Sequence, residues 1–248
     1  LSYKIMRWKT LRYGSFWRGS MDKCFVCNEE TFEETGTCFV QCLKCKLYIN
    51  WGYLSKEELK KHLKEFTLSS QFKESVYKER ALQAHQQLDI LEKVLPNKGK
   101  LFDVAAGHGA FVLEARKRGW EAHGNELSEA ASQWSTHFKL PIYNGFFDDM
   151  YFEKESCDAV VMWNSLEHLH NPKTDLLKAY DMLKKGGVIF IRVPERDANN
   201  LNKYLEPYHR VEFNKINLRK ILEDTGFKVL THESVDDGFE AQDILCQK

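Results

Sequence analysis

The chain has 248 residues, 43% of them hydrophobic, with 36 basic and 36 acidic side chains. That length supplies one substantial core plus a small satellite, and no apolar run approaches the roughly 20 residues of a membrane-spanning helix. The zero formal charge hides an asymmetry: Lys4, Arg7, Lys9, Arg12 and Arg18 face no acid in residues 1–20, so residues 21–248 hold 31 bases against 36 acids, a net −5 that disfavours a phosphate-binding surface.

Gly19-Ser20 directly precedes Met21, which reads as a cloning junction, so residues 1–20 are expected to be vector-derived. The rest has the composition of a soluble, cytoplasmic protein, where cysteines serve as metal ligands or free thiols. Cys24-Phe-Val-Cys27 and Cys42-Leu-Lys-Cys45 stand fourteen residues apart. Two such knuckles can set four thiolates tetrahedrally around a structural zinc ion at about 2.3 Å. Thr37–Gln41 and Leu47–Asn50 read as β-prone flanks. Cys38 alternates with Val40 and Cys42 as a strand residue would, and could also displace one ligand. Residues 21–54 are thus expected to be a zinc-binding module that relies on metal for much of its folding energy.

Residues 55–98 read as a helical cap. Ser55 and Glu58 form a capping box ahead of Leu59, Leu63 and Phe66. A second helix begins at Ser69 or Ser70 and carries Phe72, Val76, Leu82, Leu88, Leu91 and Leu95 until Pro96-Asn-Lys-Gly99 stops it. Tyr77 and Arg80 are its notable polar residues.

Residues 99–248 begin with the most informative stretch, Leu101-Phe-Asp-Val-Ala-Ala-Gly-His-Gly109. A short strand ends in an acid, a small-residue turn follows, and Ala110–Arg118 continues as a helix. Gly107 and Gly109 let the backbone turn sharply and a ligand approach its amides, while the helix aims free N–H groups at the same spot. The next strand, Trp120–Glu126, ends in Glu126, placed where a nucleotide fold carries its ribose-binding acid. A dinucleotide fingerprint would need a third glycine where Val112 stands.

Further strands and turns follow in order. Asn144–Asp149 closes a short strand, and Cys157–Trp163 is a buried strand leading into Asn164-Ser-Leu-Glu-His-Leu169. Asn171-Pro172 opens a helix to Leu183, which Lys184–Gly187 is expected to cap before the strand Val188–Val193. Asn217–Leu222 is a helix stopped near Gly226. Phe227–Leu230 and Ile244–Cys246 read as a closing antiparallel pair, with Cys157 and Cys246 in the core.

Asp103-Val-Ala-Ala-Gly-His-Gly109 and the ordered motifs after it resemble the class I S-adenosylmethionine-dependent methyltransferases over Leu101 to about Phe227. Ala105 stands where that family's first motif glycine falls. The resemblance implies an α/β, Rossmann-like fold: a mostly parallel seven-stranded sheet, the last strand antiparallel, with helices on both faces. It also implies that Asp103, Ala105, Gly107 and Gly109 surround the methionine end of S-adenosylmethionine. Glu126 would take the ribose hydroxyls, Leu127 would flank the adenine, and Asp148 after Phe146-Phe147 would lie near its amino group. Asn164 would line the passage to the methyl group. The expected reaction is methylation, at oxygen, of a small molecule such as a sugar or another biosynthetic intermediate.

Such a reaction mainly needs alignment and exclusion of water, helped by a base near neutrality when the acceptor is a hydroxyl. His168 and His209 are the candidates, both at the carboxyl edge where open α/β sheets bind ligands. Glu167 could orient the imidazole or help hold a metal, although Asn164 stands where some quinone O-methyltransferases place an additional metal-binding acid. Two other readings stay open. An rRNA base methyltransferase can combine a cysteine module with this fold, but the −5 balance after Met21 and the lack of an Asn-Pro-Pro-aromatic motif oppose it. A binding protein that has lost catalysis has only Ala105 to suggest it. The cysteine start also resembles that of deoxysugar C-methyltransferases, which carry a larger C-terminal domain.

Overall fold

The structure is a computed structural model that describes residues 23–35, 37–50, 52–67, 74–128, 135–196, 208–236 and 240–248. Residues 1–20, expected to be vector-derived, and the expected helix start at Ser69 or Ser70 lie outside these residues. The large sheet comprises β4 (Lys100–Val104), β5 (Glu121–Glu126), β6 (Ile142–Asn144), β7 (Cys157–Trp163), β8 (Leu183–Pro194), β10 (Lys228–Asp236) and β11 (Glu240–Gln247). Its order is β10-β11-β8-β7-β4-β5-β6. β4 through β8 pair in parallel, and β11 inserts antiparallel between β8 and β10. The strand order reverses between β4 and β7, so a crevice opens outside their carboxyl ends.

The apolar runs of the central strands follow from burial on both faces. Phe102, Val104, Val160 and Met162 point to one side, where α4 (Pro172–Met182) and α5 (Lys215–Asp224) pack. Leu101, Ala159 and Val161 point to the other, against α2 (Glu74–Val94) and α3 (Ala110–Lys117). The α2 stripe differs from expectation. Ala84, Leu88 and Leu91 are buried, whereas Leu82 is 61% exposed, because a residue two before Ala84 falls on the opposite side of the helix. The capping box of Ser55 and Glu58 does begin α1 (Lys56–Thr67).

Two boundaries are corrected. Lys184–Gly187 does not cap the preceding helix but belongs to β8, whose pairing slips from Cys157↔Leu183 to Ala159↔Val188. The irregularity absorbs the extra residues, as bulges do. The closing strands also extend beyond the apolar stretches that marked them, because β10 is an edge strand with several solvent-facing polar residues.

A smaller sheet has the order β1-β2-β3-β9. β1 (Phe32–Glu34), β2 (Phe39–Cys42) and β3 (Tyr48–Asn50) come from the cysteine segment, but β9 (Val211–Glu212) comes from between β8 and α5. Cys42, Leu47 and Ile49 share one core cluster with Phe102, Val160 and the buried Cys157 and Cys246.

Candidate functional site

The motif turn is held from the neighbouring strand. The Ala105 amide donates to the Asn125 side chain at 3.3 Å, the Ala106 amide to the Asn125 carbonyl at 2.8 Å, and the Gly107 amide to Glu126 Oε2 at 2.9 Å. Ala105, Gly107 and Gly109 all have left-handed φ, at 57°, 54° and 77°. Glycine accepts this without a Cβ clash, whereas Ala105 does not. At Gly109 a Cβ would also lie 2.6 Å from Ile142 Cδ1, so this glycine serves close packing of α3 against β6.

A cavity of about 330 Å³ opens at the carboxyl edge. Ala105, Glu126, Leu127, Phe147, Asp148 and Asn164 line it with His168. Asp103, Gly107 and Gly109 are not lining residues. Asp103 lies buried beneath the turn, where burial and then the Glu126 charge hold its carboxyl well above the usual range. Gly107 reaches the cavity only through its bond to Glu126. Burial also raises Glu126, while the Ser128, Gly107 and Leu127 amides favour its charge. Glu126 Oε1 accepts from Ser128 at 2.7 Å and Oε2 from Gly107. A carboxylate oxygen has capacity for more than one donor, so this acid fits a ribose diol. Tyr77 and Arg80 are outside the lining: Tyr77 donates to Glu114 at 3.3 Å, and Arg80 to Gln83 at 3.1 Å.

On the loop after β6, Lys56 bridges Asp148 at 2.7 Å and Asp149 at 2.6 Å. Lys178 donates to the Phe147 carbonyl at 2.7 Å and the Asp148 carbonyl at 3.0 Å, and also reaches the Met150 carbonyl. α1 and α4 therefore clamp the loop after β6 from two sides.

Where His168 lines the cavity, at this end of the wall, the three candidate catalytic residues come together. Donor atoms of Glu167, His168 and His209 lie within 4.8 Å of one another, and the two imidazoles meet edge to face with centroids 4.6 Å apart. His168 Nδ1 lies 2.9 Å from the Tyr208 carbonyl. A carbonyl only accepts, so Nδ1 carries the proton and Nε2 keeps a free lone pair. Burial, and then the His209 charge, depress its pKa to about 4. His209 Nδ1 pairs with Glu212 at 2.8 Å, and Glu212 with Arg196 at 3.1 Å. Burial disfavours the His209 imidazolium, but the Glu212 hydrogen bond and the Glu167 and Glu212 charges raise its pKa overall. Glu167, also buried, is pushed up to about 7 by desolvation.

The cysteine segment holds this end in place. β3 pairs with β9 through Ile49↔Val211 and Tyr48↔Glu212. Asn50 donates from its amide to the Arg210 carbonyl at 2.9 Å and from Nδ2 to the His209 carbonyl at 3.1 Å, and Arg210 returns a bond to the Asn50 carbonyl. Tyr53, itself in the cavity wall, donates to the His168 carbonyl at 2.6 Å. Asn50, Tyr53, Arg196 and Glu212 were not marked by any local pattern.

The four paired cysteines form a compact cluster with sulfur donors within 4.8 Å of one another. Cys24 and Cys45 approach to 3.5 Å, Cys27 and Cys42 to 3.4 Å. A zinc tetrahedron with bonds of about 2.3 Å has sulfur–sulfur edges of roughly 3.8 Å, so the set fits that ion. Asn28 and Lys46, each directly after a knuckle, adopt matching φ of 57° and 59°. Cys38 lies outside the cluster, just before β2 rather than within it.

A family model described as a methyltransferase domain matches residues 77–232. A curated Mycolicibacterium smegmatis protein named "Probable S-adenosylmethionine-dependent methyltransferase" is 28% identical over 93 residues, covering 37% of this chain and 36% of that protein. The chain thus spans about a third of that relative's length. Among solved structures, Burkholderia thailandensis 1,6-didemethyltoxoflavin-N1-methyltransferase, with bound 1,6-didemethyltoxoflavin and S-adenosylhomocysteine, matches with a TM-score of 0.59 and 15% identity. That match covers 83% of this chain and 97% of the other. An Archaeoglobus fulgidus SAM-dependent methyltransferase matches with a TM-score of 0.57 and 16% identity, covering 69% and 94%.

Proposed function

The chain belongs to the methyltransferase-domain family, and from that premise we propose that it methylates a hydroxyl oxygen of a small molecule, with His168 accepting the hydroxyl proton. The observation that carries this reading is the oriented His168 ring in the wall of a cavity that also contains Glu126. Glu126 would hold the ribose hydroxyls, Leu127 and Phe147 would enclose the base, and Ala105, the motif residue that lines the cavity, would meet the methionine end. Bound S-adenosylmethionine supplies a methyl group on a sulfonium, already a strong electrophile. The chain's own task is to exclude water, align the acceptor and receive one proton at His168 Nε2. His209 and Glu167 are positioning residues: His209 packs against the His168 ring and is fixed by Glu212, while Glu167 lies buried beside both.

A small acceptor suits the enclosed wall of Tyr53, Leu59, Phe146, Leu169 and Tyr208. It also suits the net −5 of residues 21–248, which offers little to a polyanion. Cys24, Cys27, Cys42 and Cys45 are assigned to one structural zinc ion, since four thiolates leave no open coordination position for a catalytic water. The test is calorimetric titration with S-adenosylhomocysteine, followed by methyl transfer from labelled cofactor to a panel of hydroxylated and amine acceptors. Binding with transfer to hydroxyls supports the reading. Absence of binding sinks it, and transfer confined to amines or RNA sinks the choice of acceptor.

A further inference from the structure

We propose that Asp175 is a cofactor-binding residue that reads the amino edge of adenine, a role sequence resemblance assigns to Asp148. This rests on the reading that the cavity takes S-adenosylmethionine. Asp175 lies in the first turn of α4, is only 3% exposed, and lines the cavity. Its Oδ1 is fully buried and has no hydrogen-bond partner among the described residues, although a backbone hydrogen bond from Asn171 also favours the charged carboxylate. A buried acceptor left in this state carries a desolvation cost and calls for an explanation.

The surrounding charges do not provide the missing donor. Lys178 is spent on the Phe147, Asp148 and Met150 carbonyls, and Lys56 on Asp148 and Asp149. Asp175 lines the cavity, so a molecule that fills it can supply the missing donor. The cavity that Asp175 lines is also lined by Leu127 and Phe147, the residues proposed to enclose the base. Asp148 is less suited to be the sole reader, because its side chain is 34% exposed and its Oδ2 is already paired with Lys56.

The chemistry of the group matches the edge it would meet. Burial, and then repulsion from Asp148, push the Asp175 carboxyl up to about 7, with Lys178 and Lys56 pulling the other way. Its unpaired Oδ1 is an acceptor. Adenine presents the matching donor, the N6 amino hydrogen. In a hypoxanthine base a carbonyl oxygen takes that place and has no hydrogen to give.

The experiment titrates S-adenosylhomocysteine and its deaminated form, S-inosylhomocysteine, into wild type, Asp175→Leu and Asp175→Asn by calorimetry. Wild type is expected to prefer the adenine form by roughly ten- to a hundredfold. Asp175→Leu should lose most of that preference, and Asp175→Asn should lose it too, because a carboxamide can turn either its oxygen or its NH2 toward the base. Full discrimination in Asp175→Leu overturns the assignment to Asp175. Failure of wild type to bind either compound overturns the cofactor reading beneath it. A wild-type complex structure gives an answer even if a variant fails to fold. An Asp175 oxygen within about 3.2 Å of N6 supports the proposal, and an Asp175 carboxyl turned out of the base pocket overturns it.

Discussion

The four-cysteine cluster and the carboxyl edge of the large sheet both gather polar groups to meet a ligand, yet they do so over very different chain distances. The cysteine donors come from two knuckles of four residues each, with matching left-handed residues behind them. The acceptor end of the cavity draws Tyr53 from beside the cysteine module, His168 from the turn after β7, and Tyr208 from the segment leading to β9. A site assembled in this way depends on whatever joins the pieces. Here the joint is the two-residue strand β9, whose partner is the last strand of the cysteine sheet. The comparison indicates that the cysteine cluster, through β3 and β9, supports the part of the cavity wall that carries His168.

The strongest way to break that comparison is to remove the metal. Apparent binding free energies of structural zinc run to about 10–16 kcal/mol, so a Cys42→Ser/Cys45→Ser variant should lose its single zinc and unfold β1–β3. If the wall depends on that sheet, the Val211 and Glu212 amides should lose hydrogen-exchange protection together with β3, and turnover should disappear. Elemental analysis and exchange mass spectrometry supply the measurements. Full protection of β9 in the zinc-free protein would show that the two regions stand independently.

Next in size is the effect of the imidazoles. His168→Ala should lower turnover by about 10²–10⁴-fold with cofactor affinity nearly unchanged. Because the His168 pKa is depressed to about 4, its ring stays neutral and able to accept a proton well below pH 6. The acid limb of kcat/KM should therefore fall far below the ordinary histidine value near 6.5. The His209 charge is one cause of that depression, so His209→Ala should move the limb upward. An acid limb that stays at 6.5 in both wild type and variant would remove His168 from the role of base.

At the cofactor end, Glu126→Ala deletes the acceptor of two ribose hydroxyls. Leaving such donors unpaired costs about 1–3 kcal/mol, or roughly ten- to a hundredfold in affinity for S-adenosylmethionine. Titration calorimetry that finds unchanged affinity would refute the ribose assignment.

These effects also separate what local sequence reveals from what it conceals. The cysteine pairs and the turn Asp103–Gly109 are short-range patterns, and each reappears as a coherent local structure. The two-sided burial of β4 and β7 was likewise readable from continuous apolar runs, and with it the parallel sheet. β9 was not, because two residues carry no periodicity, and its pairing partner lies about 160 positions away. Asp175 was hidden for a different reason. An acid in the first turn of a helix is ordinary for electrostatic reasons alone, so nothing but its burial distinguishes it. Glu212 similarly gains meaning only from His209 and Arg196 around it.

The smallest predicted effect tests the departure at Ala105. An alanine at φ 57° bears a steric cost of about 1–2 kcal/mol relative to glycine. Glycine in turn loses more conformational entropy on folding, by about 0.5–1 kcal/mol. The difference favours Ala105→Gly by up to about 1.5 kcal/mol, at roughly 2–4 °C in Tm per kcal/mol for a chain of this size. The Ala105 amide keeps its bond to Asn125 in either case, since that bond uses no side-chain atom of residue 105. Differential scanning calorimetry of the ligand-free protein measures the balance. A fall in Tm instead would mean that the methyl group, which lines the cavity, packs well enough to outweigh its backbone strain. The turn would then be adapted to alanine, and the same variant should bind S-adenosylhomocysteine more weakly rather than equally well.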